Sequence, residues 1–168
     1  AGTSAVATDV QAKLRESISA FDYMTSAEIA DVTSNSATLD VQPAVQAAIT
    51  AAELEKKPLH LPAGTYRLED TLTITGNNWL IGDGRNGTKL QCRHVASCIK
   101  ANAWVGKIIG LSVYTFNVGS HGIQVGDQSR NCGIEDVYLD ATAIGSTNTS
   151  AGIYLYDPTG WSGGITIA

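Results

Sequence analysis

Three short segments of this chain are variants of one another. "CIKA" from Cys98, "GIQVGD" from Gly122 and "GIYLYD" from Gly152 share a small residue, an isoleucine, a free position and an apolar residue, at offsets of 24 and 30 positions. A second pattern, isoleucine, two free positions, Leu or Val, one free position, then Val or Leu, runs through "IIGLSV" from Ile108 and "IEDVYL" from Ile134, 26 positions apart. Two interleaved patterns with one period restrict the fold more than any other feature here. Self-similarity at roughly 20–50 residues marks a unit that cannot bury its apolar face alone and stacks on its neighbours.

Each period holds about three brief apolar bursts separated by glycine-rich corners, so the expected fold class is all-β, a parallel β-helix in which each strand forms one side of a narrow winding. The strands are read as Leu59 to Leu61, Tyr66 to Leu68, Leu72 to Ile74, Trp79 to Ile81 and Leu90 to Cys92, followed by the repeated segments. Ile123, Val125, Ile153, Leu155, Val137 and Leu139 are the inward positions, stacking at the spacing of about 4.8 Å between hydrogen-bonded strands. "GGITIA" restarts the pattern, with Ile165 31 positions after Ile134, so a further winding is expected beyond Ala168 and the chain reads as part of a longer protein.

Before Pro58 the period is helical. "TDVQAKLRESIS" carries Val10, Leu14 and Ile18 at intervals of four and predicts a short leading helix. "TSAE" at Thr25 has capping-box spacing and predicts one or two turns. In "DVQPAVQAAITAAELEKK", Asp40 and Pro43 sit where a helix start favours them, and Val45, Ala48, Ile49 and Ala52 form one face. That helix is expected to cap the first winding, because an uncovered sheet edge invites aggregation. The organisation read is therefore 1–20, a leading helix or neck; 21–57, connecting turns and the capping helix; and 58–168, the windings.

A hydrophobic share of 43% in 168 residues suffices for a core, and 17 glycines beside only 16% charged residues suit a chain of many corners. The net charge of -5 argues against nucleic acid and anionic membrane surfaces, and no run is long enough to insert in a bilayer. Cys92, Cys98 and Cys132 are read as buried fillers made in a reducing compartment. "CRHVASC" matches no common zinc spacing, so neither a metal site nor a cofactor is expected.

"DVQPAVQAAI", then "LHLPAGTYRL", then "LIGDGRNGTKL" together resemble the entry region of the pectate-lyase-like superfamily of right-handed β-helices. "FDYMTSAEIADV" before them is similar to the tailspikes, or receptor-binding depolymerases, of tailed bacteriophages. The glycine-rich "GAxGDG" of many members is replaced by "VTSNSATLDV", which points to phage spikes more than to secreted enzymes. The resemblance implies a homotrimer in the virion tail, made in the host cytoplasm and joined to other tail proteins. It further implies recognition, and often depolymerisation by hydrolase or lyase chemistry, of a bacterial surface polysaccharide such as capsule or O-antigen. Its alternatives are a non-catalytic adsorption or assembly module and a secreted pectate-lyase-like enzyme.

Glycoside hydrolysis commonly needs two carboxylates, and Asp127 and Asp157 end equivalent repeats, so they are the catalytic candidates if stacking brings them together. Aspartate at a strand end followed by Gln128 or Pro158 is also ordinary turn chemistry, the stronger reading, and calcium or sugar binding is a further alternative. Glu135 and Asp136 adjoin, and so are expected on opposite faces of a strand. His121 is a candidate base near Asp127. Asp83 in "GDGR" is read as shaping a turn, with Arg85 pairing with it or with an acidic sugar. By strand parity Tyr114, Tyr138, Tyr154 and Tyr156 face outward, with Trp161 in a following loop. Tyr138, Tyr154, Tyr156 and Trp161 are the substrate-binding candidates, since an aromatic face suits a sugar ring. Packing against other copies of the chain would use the same residues.

Overall fold

The computed structural model describes residues 16–102, 106–117, 119–126, 132–141, 152–155 and 165–167. Most of the predicted leading helix lies outside these residues. Its end does not: Ile18–Ser19 form a strand, β1, paired in parallel with Leu59–His60, so Ile18 belongs to the sheet and not to a helical stripe. After a 3-10 turn at Ala20–Tyr23, helix α1 (Ser26–Thr33) opens with the capping box read from the sequence. The Thr25 hydroxyl accepts from the Glu28 N–H at 3.3 Å, and the Glu28 carboxylate accepts from the Thr25 N–H at 2.7 Å.

Helix α2 (Gln42–Glu55) has Pro43 in its first turn and an Asp40 carboxylate accepting from the Gln42 N–H at 3.0 Å. It stops where Lys56 turns left-handed at φ 54°. Val45, Ala48, Ile49 and Ala52, the predicted face, are its buried residues.

The strands that follow are β2 (Leu59–Leu61), β3 (Gly64–Leu68), β4 (Leu72–Ile74), β5 (Trp79–Gly82), β6 (Thr88–Cys92), β7 (Ile99–Ala101), β8 (Gly106–Thr115), β9 (Ile123–Val125), β10 (Cys132–Ala141), β11 (Ile153–Leu155) and β12 (Ile165–Ile167). All pairs are parallel, in one sheet of eight strands and one of four, and from β4 onward the chain passes repeatedly from one sheet to the other. In-register pairing builds interior columns. One runs Ile18, Leu59, Leu80, Ile108, Ile134, Ile167; another runs Tyr66, Leu90, Val113, Leu139; a third, in the smaller sheet, runs Leu72, Ile99, Ile123, Ile153. The repeats 24, 26 and 30 positions apart therefore do lie on one another, Ile123 beside Ile153 among them, whereas Ile165 pairs with Cys132 and not, as its offset of 31 led one to expect, with Ile134.

The second sequence pattern has a backbone cause. In β8, Ile108, Leu111 and Val113 are buried, and between the first two stands Gly110 at φ 64°. In β10 the same place is taken by Asp136 at φ 48°, between Ile134 and Val137. The extra free position is thus a bend that resets strand parity, so that side chains beyond it again alternate inward and outward. In the preceding layer the same corner is opened into a loop, Asp83–Gly87, between β5 and β6.

The expected all-β, right-handed parallel β-helix is corrected by this architecture. The described residues form a mixed α/β fold of parallel sheets with two α-helices. Val32 of α1 and the buried face of α2 belong to the same apolar cluster as the strands, so the helices are a layer of the core, as parallel sheets commonly require. α2 also covers the open edge of β4. The Gln46 side chain accepts from the Thr73 N–H at 2.8 Å and donates to its carbonyl at 2.9 Å, as a neighbouring strand would, and Gln42 donates to the Thr71 carbonyl at 3.0 Å.

The cysteine reading is corrected as well. Cys92 and Cys98 are joined by a disulfide across the turn between β6 and β7, their Cα atoms 5.5 Å apart. Cys132 is a free, buried thiol, and burial pushes its pKa up. His94, within the turn, accepts from the Ala96 N–H at 3.3 Å, and burial outweighs nearby acids to lower its pKa.

Candidate functional site

The outward face of the larger sheet beyond the bend is set by register. Lys89, Ser112 and Tyr138 form one row across β6, β8 and β10, and Gln91, Tyr114 and Asp140 form the next. The Asp83–Gly87 loop lies against this face. Its first residue is held from several sides: Asp83 Oδ1 lies 2.7 Å from His60 Nε2, Oδ2 accepts from the Ala63 N–H at 2.8 Å, and the Asp83 N–H donates to the Thr88 hydroxyl at 2.9 Å. The His60 contact, opposed by partial burial and helped by Ala63, keeps the Asp83 carboxyl below its ordinary pKa. The Thr88 hydroxyl in turn donates to the Leu61 carbonyl at 2.9 Å. At the loop's tip the Arg85 carbonyl accepts a short hydrogen bond from the Ser112 hydroxyl, which fastens the tip to β8.

Between loop and sheet lies an open cleft of about 420 Å³ lined by Arg85, Asn86, Ser112, Tyr114 and Tyr138. The two phenol rings stand 6.0 Å apart, tilted by 56°. Tyr138 is 46% exposed although it is large and partly apolar. Asp136, in its left-handed conformation, places Oδ1 3.6 Å from Arg85 Nε at the rim. Two flat apolar faces, hydroxyl tips, an amide and a guanidinium on a rigid frame suit a ligand with both apolar C–H faces and many hydroxyls. None of the described residues lining the cleft is a carboxylate.

The sequence candidates divide. Tyr138 lines the cleft, joined there by Tyr114 and Arg85, which the sequence marked singly but did not bring together. Of the two partners expected for Arg85, Asp83 or an acidic sugar, Asp83 is taken by His60 and Ala63, and within the chain Arg85 faces Asp136. Tyr154 is on the smaller sheet, its ring stacked 4.5 Å from that of His121, and so is not part of the cleft. Asp127, Asp157, Tyr156 and Trp161 lie outside the described residues. Glu135 and Asp136 diverge as expected: Glu135 takes Lys107 at 2.6 Å, while Asp136 is at the bend. Asn86 and Ser112 were not foreseen. Their only sequence signal is "GRNG", a turn tip, and alternation within "LSVY".

No known sequence family matches the chain, and no curated protein does. In fold it is similar to ORF18 of Geobacillus virus E2, with a TM-score of 0.62 and 16% identity over 76% of this chain, which spans 27% of that one. A second solved structure, the Agl-KA catalytic domain, aligns over 94% of the chain and 36% of its own, at 16% identity and a TM-score of only 0.45. The likeness to the viral protein is one of fold.

Proposed function

We propose that this chain is the polysaccharide-recognising part of a phage virion protein, and that the cleft beneath the Asp83–Gly87 loop receives sugar rings. The observation that carries the reading is the pairing of exposed Tyr138 with half-buried Tyr114 beside Arg85 and Asn86. A fold neighbour encoded by a virus supports the phage association, and the tailspike-like order of segments in the sequence supports bacterial surface polysaccharide as the ligand. Depolymerisation, as hydrolase or lyase, belongs in this reading to another part of the protein.

The test is titration of capsule and lipopolysaccharide preparations from several bacteria against the chain by calorimetry or interferometry. Removing a stacked ring costs about 1.4 kcal/mol or more, so Tyr138→Ala is expected to weaken a bound polysaccharide at least about tenfold with an unchanged melting curve. Binding that survives both Tyr138→Ala and Tyr114→Ala undiminished would overturn the assignment. So would failure to bind any preparation.

A further inference from the structure

Among the described residues, the lysines and arginines on or beside the larger sheet fall into two groups. Three are engaged: Arg67 donates to Glu69 at 2.5 Å and to the Thr38 carbonyl at 3.1 Å, Arg93 lies 4.1 Å over the Phe116 ring and donates to Gln91 at 3.0 Å, and Lys107 meets Glu135 at 2.6 Å. Two border the cleft and are not so engaged. Arg85, its side chain 63% exposed, has Asp136 3.6 Å from Nε, well beyond the about 2.7–2.9 Å of a charge-assisted hydrogen bond, and neither of its terminal nitrogens has a hydrogen-bond partner among the described residues. Lys89 is next to Ser112 in register, one strand from the cleft floor, and has no ion-pair partner among the described residues. In a chain of net charge -5, an arginine fork left open beside the exposed Tyr138 and the half-buried Tyr114 is a site with a sign.

Resting on the reading of the cleft as a sugar site, we infer that its preferred ligand is a glycan carrying carboxylates, with a ring against Tyr138 and its carboxylate on the Arg85 guanidinium. A guanidinium matches a carboxylate with two parallel hydrogen bonds, whereas a neutral hydroxyl uses it poorly. The Asp83 anchorage and the Ser112 bond fix the loop from which Arg85 extends, so less freedom is lost on binding. Lys89 adds long-range attraction. Asp136 at the rim draws Arg85 to one side, and a ligand carboxylate competes with it for the same fork.

The test uses whichever bacterial polysaccharide the chain binds, in native form and after chemical reduction of its carboxyls to primary alcohols, which keeps the sugar sequence and removes the charge. A charge-assisted contact of about 1.5–3 kcal/mol predicts that reduction weakens binding roughly tenfold to a hundredfold. Arg85→Gln is expected to lose a similar factor against the native polymer and to bind the native and reduced forms alike. Equal affinity of the unaltered chain for both forms, or an Arg85→Gln variant that keeps the preference, overturns the inference while leaving a Tyr138-dependent sugar site standing. Loss of dependence on Tyr138 overturns the sugar site itself, and the inference with it.

Discussion

Asp136 and Gly110 show how one backbone position shapes the surface. They are equivalent residues of neighbouring strands, both left-handed, and each is the corner where its strand turns from one side of the molecule to the next. A Cβ on Gly110 would lie 3.0 Å from the Gly82 carbonyl oxygen, so space as well as φ demands glycine there. Asp136 uses a residue type that tolerates this region, at some cost. Gly110→Ala is therefore expected to lower unfolding free energy by about 1–2 kcal/mol, and Asp136→Gly to leave it nearly unchanged. Urea midpoints at constant slope are the measurement, and a Gly110→Ala variant as stable as the parent contradicts the strain assigned to the bend.

Between elements, much of the order comes from side chains that satisfy backbone groups. The connection from α1 to α2 has little regular structure of its own, and Asp31 at the end of α1 organises it. Its carboxylate accepts from the Thr38 and Leu39 N–H groups at 3.0–3.1 Å and from the Thr38 hydroxyl in a shorter bond. Burial works to raise its pKa, but those donors, with Arg67 nearby, outweigh it and hold the carboxyl below its ordinary value. The folded state thus binds a proton there less readily than the unfolded chain. The resulting stability is present above the ordinary carboxylate pKa of about 3.9 and is lost as pH falls through the lower folded value. Asp31→Asn turns an acceptor into a donor facing donors, and is expected to cost about 1–3 kcal/mol at neutral pH. The gap between parent and variant narrows as pH falls below the ordinary carboxylate value of about 3.9. A gap that is constant from pH 7 to pH 3 counts against the assignment.

At the scale of the whole molecule, sequence and structure agree where alternation alone decides the outcome. A one-residue slip would turn every inward side chain out, so the repeats at Ile123 and Ile153, and at Ile108 and Ile134, carried their own register. The helix face from Val45 to Ala52 was legible for the same reason, at a different period. Fold class was not legible, because whether α1 and α2 merely cap a β structure or form a layer of its core depends on packing that no local pattern encodes. Nor was the disulfide, which depends on a turn bringing Cys92 and Cys98 within reach. The cleft joins residues up to 53 positions apart, Arg85 to Tyr138, and the strand register together with the loop's anchorage at Asp83 and Ser112 assembles them. Because each layer touches chiefly the layers beside it, the worth of a core residue depends on its place in the column. Ile108 has Leu80 on one side and Ile134 on the other and is 1% exposed, whereas Ile167, in the same column, is 63% exposed. In this 168-residue chain Ile108→Ala is expected to cost about 2–5 kcal/mol, and Ile167→Ala to cost less than about 1 kcal/mol. Denaturant unfolding of both variants measures the difference, and equal losses would mean that the layers do not support one another in the order the register gives.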